Sequence, residues 1–320
     1  MAAISDDDIW LVGLFSMPDT SQSGSGDNSC NAIHWDGEKW KAHRLLGQDS
    51  NGDLSFSQLN SIYMFSSNDI WIAFGGAYAH WDGLEWQSKF FWVWEGRYGN
   101  ITEIWGASAL DLYFARTDGK ITHYNGSSFS DMATGLNYTI IRIHGLDKKN
   151  IWSVAYSNIG AGAGIQNAVL EHKRDGSWAE IHHQDSWMEN WPPRDYSRPS
   201  GIYNTTWAYG DTLYLGCASL WKESISTGEG YLTKLEALDW DLYYGIGFLD
   251  GNHCNDVFAF RVQGLAMTHY NGVNWKRDIS LQNLDPGQYF LITEVAVIDN
   301  MVFIAGWDFR SGHILLIRGY

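Results

Sequence analysis

Apolar and polar residues alternate with a period of two in short runs along the whole 320-residue chain, and no run carries the spacing of an amphipathic helix. The runs end at Gly, Asp or Asn, the residues that turn a strand back on itself. One apolar block recurs: "SDDDIWLVG" at 5–13, "SSNDIWIAFG" at 66–75, "SALDLYFAR" at 108–116, "DKKNIWSVA" at 147–155, "YGDTLYLG" at 209–216, "CNDVFAF" at 254–260 and "IDNMVFIAG" at 298–306. A second block follows it: "IHWDGEKW" at 33–40, "AHWDGLEW" at 79–86, "THYNGSSF" at 122–129, "EHKRDGSW" at 171–178 and "THYNGVNW" at 268–275, with degraded versions "LTKLEALDW" at 232–240 and "ILLIRGY" at 314–320. Each unit reads as four short strands: A, an alternating run such as "ITEIWGAS"; B, "DLYFAR"; C, "KITHYNG"; and D, beginning at the aromatic after the Gly.

Seven such units, spaced close to the ~40–50 residues of a propeller blade, predict an all-β fold. The expected architecture is a seven-bladed β-propeller of four-stranded antiparallel blades, with the last blade possessing three strands or lacking its outer one. The blades are placed at about 1–43, 58–92, 100–133, 138–183, 201–243, 244–280 and 289–320, forming one domain over 1–320. Composition agrees: 15% aromatic residues, 18 of them Trp, provide flat rings for the wedges between twisted sheets. The S-x-x-D-[IVL]-[WYF] and [IT]-H-[WY]-[DN]-G-x-x-W blocks resemble the tandem propeller repeats of many bacterial proteins of unassigned function, and the resemblance covers essentially the whole chain. Blade order is similar to that of WD40 repeats, without their Gly-His and Trp-Asp dipeptides. The resemblance implies the fold and leaves function open.

The repeated His and Asp invite a metal reading. His34, His80, His123 and His269 each fall on the third strand of a different blade, so they cannot converge on one ion at the ~2 Å that zinc requires. They read instead as buried histidines bonded to a turn or to the S-x-x-D aspartate, and Asp8, Asp69, Asp111 and Asp256 as caps of the A–B turn. The Asp-Gly and Asn-Gly pairs at 36–37, 82–83, 125–126, 175–176 and 271–272 read as two-residue C–D hairpin turns with positive φ at both positions. Asp49, Asn51 and Asp53 have the spacing of a calcium loop, but Leu54 and Asn60 replace its Gly and Glu, leaving a solvated turn. Cys30, Cys217 and Cys254 lack a C-x-x-C pair and read as buried thiols. No cofactor or metal motif is present.

A net charge of −16 repels phosphate backbones and anionic membrane surfaces, which excludes nucleic acid as a partner. No apolar stretch approaches the ~18 residues of a membrane span, so no membrane insertion is expected. "MAAISDDDIW" shows no charged-then-apolar leader, which fits a cytoplasmic chain or the mature part of a secreted one.

Function is sought where the chain departs from the repeat. Long insertions fall at 15–31, 156–167 and 217–230 between B and C, and at 44–57, 92–100, 183–201 and 276–288 between D and A; in a propeller both classes emerge on one face. They carry Trp92, Trp94, Arg97, Tyr98, Trp187, Trp191, Tyr196 and Arg198, with Trp221, Trp307 and Arg310 in corresponding regions. Trp, Tyr and Arg dominate binding hot spots, and aromatic faces beside polar groups suit sugar rings. Strand A lines the channel, where Glu103, Arg142, Thr205 and Glu294 align, joined by His144 and Tyr244. The primary reading is a carbohydrate-binding or protein-interaction propeller whose partner is a glycan ahead of a protein or peptide. The alternative is a glycoside hydrolase or lyase using Glu103, Glu294, Arg142, His144 and Tyr244.

Overall fold

The computed structural model describes residues 1–16, 29–49, 51–90, 99–158, 165–186, 202–217, 220–227, 233–234, 245–261, 266–278, 290–299, 301–308 and 313–319. The first blade is β1 (Ala2–Ser5), β2 (Asp8–Ser16), β3 (Ser29–Trp35) and β4 (Trp40–His43). A small hairpin, β5 (Leu46–Gln48) and β6 (Leu54–Phe56), precedes the second blade of β7 (Ser61–Ser66), β8 (Asp69–Phe74), β9 (Ala77–Trp81) and β10 (Trp86–Phe90). The third has β11 (Ile101–Ser108), β12 (Asp111–Arg116), β13 (Ile121–Tyr124) and β14 (Phe129–Met132); the fourth, β15 (Ile140–Asp147), β16 (Asn150–Asn158), β17 (Ile165–His172) and β18 (Trp178–Ser186). The fifth has β19 (Thr205–Tyr209), β20 (Thr212–Gly216), β21 (Leu220–Ser224) and β22 (Thr233–Lys234); the sixth, β23 (Ile246–His253), β24 (Asp256–Arg261), β25 (Met267–Tyr270) and β26 (Trp275–Asp278). The seventh has three: β27 (Phe290–Ile298), β28 (Met301–Asp308) and β29 (His313–Gly319).

Within each sheet the strands pair antiparallel in chain order, so the fold is the all-β, seven-bladed β-propeller expected from the repeat. Contacts group the chain into two compact units, Met1–Asp118 with Thr122–Ser130, and Gly119–Ile121 with Asp131–Tyr320. The first holds blades one and two and most of blade three. The second holds blades four to seven. Among the described residues no helix is long and apolar enough to cross a membrane.

Inside each unit the core lies between successive blades. In the first, Trp10 and Ala32 of blade one meet Ile62, Ile70 and Ile72 of blade two, and Trp71 and Ala73 meet Ile104 and Phe114 of blade three. In the second, Val154 and Val169 pack on Leu215 and Trp221, Trp207 and Tyr214 on Leu249 and Val257, and Phe248 and Phe260 on Ile292 and Ile304. Alternation on strand B therefore feeds both faces of blades two, five and six, the way a propeller buries its aromatics without a central sheet.

The repeated motif works inside one blade. His34 Nε2 donates to Asp8 at 2.9 Å, His80 to Asp69 at 2.8 Å, His123 to Asp111 at 2.7 Å and His269 to Asp256 at 2.7 Å. Each ring stacks on the strand B aromatic two residues after that Asp: Trp10 at 4.3 Å, Trp71 at 4.1 Å, Tyr113 at 4.5 Å and Phe258 at 4.1 Å. The aspartates consequently do not cap the A–B turn. The Ser three residues earlier does so, Ser5, Ser66 and Ser108 accepting the amides of Asp7, Asn68 and Leu110.

The C–D turns also differ from the two-residue form. Four residues intervene between the Trp35–Trp40, Trp81–Trp86 and Tyr270–Trp275 pairs, and only the Gly has positive φ. Asp36, Asp82, Asn125 and Asn271 instead each accept two successive amides on Oδ1, as with Glu38 and Lys39 on Asp36. The side chain takes over turn-forming bonds that a two-residue hairpin makes with its backbone. Asp49 acts likewise at the β5–β6 tip, accepting the amides of Asn51 and Asp53 as a turn.

Blade five departs most from its sequence reading. Strand C is Leu220–Ser224, not the degraded block at 232–240, so it falls inside the insertion placed at 217–230. Trp221, assigned to a binding loop, is 2% exposed in the core with Tyr203 and Cys217. The insertions at 15–31 and 156–167 are shortened by longer strands, β2 reaching Ser16 and β16 reaching Asn158.

Candidate functional site

Strand A begins with a β-bulge in four blades. Pairing with strand B steps from Ile101 to Glu103, Ile140 to Arg142, Ile246 to Phe248 and Ile292 to Glu294, skipping one residue each time. A bulge bends the strand and re-aims the next side chain. Glu103, Arg142, Phe248 and Glu294 thereby take equivalent places, opposite Ala115, Val154, Phe260 and Ala305. Thr205 holds that place in blade five, opposite Gly216, and is buried.

In the second unit the first strands of successive blades lie side by side, β15 by β19, β19 by β23 and β23 by β27. This brings together residues 152 positions apart: Arg142 Nη1 donates to Glu294 Oε2 at 3.2 Å, and the guanidinium lies over the Phe248 ring at 5.1 Å. The pair stays reachable by water, Arg142 at 21% and Glu294 at 28% side-chain exposure. Glu294 Oε1 also accepts the Val295 amide at 3.2 Å. Burial pushes the Glu294 carboxyl up, while the Arg142 guanidinium and, more weakly, that amide pull it down; on balance it lies below the usual glutamate value.

Two positions further along strand A lies a second belt, whose members reach the next blade. In the first unit the Tyr63 hydroxyl donates to the Gly106 carbonyl at 2.9 Å. In the second, His144 donates to the Ala208 carbonyl, Trp207 donates to Asp250, and Asp250 accepts the Val297 amide at 2.8 Å. The Asp250 carboxylate also takes the amide of Gly251 at 2.8 Å. Burial drives the Asp250 carboxyl up to about 7, with a further push from Glu294, against the pull of these three donors. Burial drives His144 down to about 4, and its Nε2 is enclosed with no hydrogen-bond partner among the described residues. His144 is thus neutral and latches β15 to β19.

Of the residues singled out by sequence, Arg142 and Glu294 come together, while Glu103 belongs to the other unit. Trp307 sits near the end of β28 at 49% exposure, paired with Leu291. Trp92, Trp94, Arg97, Tyr98, Trp187, Trp191, Tyr196, Arg198, Tyr244 and Arg310 lie outside the described residues. Sequence reasoning passed over Trp207, Phe248 and Asp250. The one available signal was an Asp in the middle of the apolar strand "IGFLDG".

No family model and no curated protein matches the chain. Solved structures do. YCF48 bound to D1 peptide aligns with TM-score 0.62 at 16% identity, over 99% of this chain and 89% of that one. YCF48 from Cyanidioschyzon merolae aligns at 0.55 and 14%, over 89% and 87%. The extracellular domain of BT4673 from B. thetaiotaomicron aligns at 0.58 and 15%, over 89% of this chain but 35% of that one. At these identities the likeness establishes the propeller fold.

Proposed function

We propose that this chain is a recognition propeller, binding an uncharged polar ligand at the first strands of blades four to seven. The observation that carries this reading is the Arg142–Glu294 pair, half-sheltered yet water-reachable and seated on Phe248. Such a pair is already neutral. A charged ligand has to break it and strand one charge in a low-dielectric site, whereas hydroxyls or amides can bond to the guanidinium and the carboxylate together. A glycan is the primary reading, because its hydroxyls can accept from the guanidinium and donate to the carboxylate at once.

An extended peptide is the second reading, supported by the peptide that YCF48 carries on the same fold. Turnover by a glycosidase is less well supported. A general acid needs a carboxyl raised toward neutrality, and Glu294 is held ionised by Arg142. The test is titration calorimetry with a panel of neutral oligosaccharides and with uncharged peptides, on wild type, Arg142→Gln and Glu294→Gln. The reading requires binding by at least one class and a loss of about tenfold or more in each variant, the worth of a charged hydrogen bond. Undiminished binding in both variants overturns it.

A further inference from the structure

We propose that Asp250 is the positioning residue of this site: its carboxyl clasps β27 to β23, and a change in its proton occupancy is passed to Glu294 and Arg142. The inference rests on the site described above. β23 and β27 belong to different sheets, so no ladder of backbone bonds joins them. The side chain of Asp250 makes the crossing, its Oδ2 on the Val297 amide and its Oδ1 on the Gly251 amide. Val297 follows Glu294 by three residues on the same strand, about 10 Å along it, so what fixes one end of this short segment fixes the other.

Three donors converge on this carboxyl: two amides and, from β19, the Trp207 indole. An ionised carboxylate can satisfy all three. A protonated one gains an O–H where only donors point, so one N–H···O contact has to lengthen. The Gly251 amide is on the same strand and adjacent in sequence, and the Val297 amide comes from across the gap. The contacts free to yield are the two between strands, from Val297 and from Trp207.

The charges around Asp250 are few. Glu294 on β27 raises its proton affinity, and Arg142 on β15 offsets Glu294. His144 on β15 is neutral, and its ring lies 6.4 Å from that of Trp207 on β19. Tyr214 on β20, packed in the same core as Leu249, is un-ionised, burial pushing its hydroxyl up to about 12. Phe258, opposite Asp250 on β24, carries no charge, and His253 and Asp256 close the far end of that hairpin. The proton on Asp250 and the charge on Glu294 are therefore coupled, and Arg142, the strongest pull on Glu294, tunes that coupling.

The test is a two-dimensional ¹H–¹⁵N NMR titration of the full chain from pH 5 to 9, following the Val297 and Gly251 amides. Both are expected to move together with one midpoint near 7. Glu294→Gln lowers that midpoint by roughly half a unit or more, Arg142→Gln raises it, and Asp250→Asn abolishes the transition. A merely structural Asp250 moves none of these midpoints. A Val297 amide flat across the range in wild type overturns the proposal, as does a midpoint unchanged in both Glu294→Gln and Arg142→Gln. The latter two keep the test decisive where Asp250→Asn does not fold. No ligand enters the titration, so a chain that titrates as stated but binds no oligosaccharide or peptide retires the binding reading and leaves the clasp standing.

Discussion

Asp250 and His144 bear on stability with opposite signs over the same pH range, and removing either exposes the other. Asp250 in the folded chain releases its proton at about 7, against 3.8 for an ordinary aspartate. The folded state then holds more protons than the unfolded one between these values, so its contribution to stability is complete below about pH 4 and is lost as pH rises through 7. His144 falls to about 4 from 6.5. Here the unfolded state holds the extra proton, so the contribution is complete above 6.5 and is lost as pH falls toward 4. Each group alone gives a slope of about 1.4 kcal/mol per pH unit where its two states differ fully. From pH 4.5 to 6.5 that is up to about 3 kcal/mol apiece, less where water reaches the groups, and the two nearly cancel.

Urea denaturation of wild type, His144→Asn and Asp250→Asn across pH 4.5–7 measures this directly. Subtracting each variant from wild type removes every other titrating group and any fixed cost of the substitution. Wild type minus His144→Asn is expected to rise with pH, and wild type minus Asp250→Asn to fall with it. Difference curves that are flat, or that share a sign, refute the assignment of these two groups as oppositely shifted.

Four further outcomes follow from the contacts. His80→Ala removes a 2.8 Å bond to Asp69 and a 4.1 Å stack on Trp71, and should cost about 2 kcal/mol in denaturant; Lys120→Ala, whose Asp131 pairing is exposed, should cost under about 0.5 kcal/mol. Gly126→Ala places a Cβ 2.9 Å from that of Leu110 at φ +86°, and should lower stability by about 1–2 kcal/mol, measured the same way. Asn31→Ala removes two donations, to the Leu45 and Ser57 carbonyls, and one acceptance from the Leu45 amide; a loss of about 3 kcal/mol and faster hydrogen exchange at Leu45 are expected.

What was legible in the sequence is what local geometry decides. A period of two, a Gly that must take positive φ and an aromatic at each strand end mark the blades, because each signal concerns neighbours on one or two strands. The Arg142–Glu294 position was legible for the same reason, since the bulge that presents it recurs in the repeat. The exchange of roles between Ser and Asp at the A–B turn was not, because either can cap a turn and it is the His on strand C that claims the Asp. Trp221 was misplaced because "LWKES" lacks the His and the Asp-Gly that mark strand C elsewhere, and it shows no apolar–polar alternation of its own.

Asp250 shows where such reading runs out. An Asp inside an apolar strand violates the pattern, and the pattern alone says only that something must satisfy it. The satisfying groups come from β19 and β27, each some forty residues away. The same division runs through the fold. Where the partner lies within one blade, the residues repeat: His to Asp, four times over. At the second belt, where the partner lies in the next blade, they change with every step, from Tyr63 to His144 to Trp207 to Asp250, although all four occupy one place in the repeat. Bonds within a blade can reuse one solution, as can the Asn before strand A, Asn60 and Asn204 donating to the Ile101 and Ile246 carbonyls, whereas the belt side chains fit each neighbour separately. Chemical variety therefore accumulates on the first strands, and there it has assembled a cation, two carboxyls and aromatic rings in one small volume.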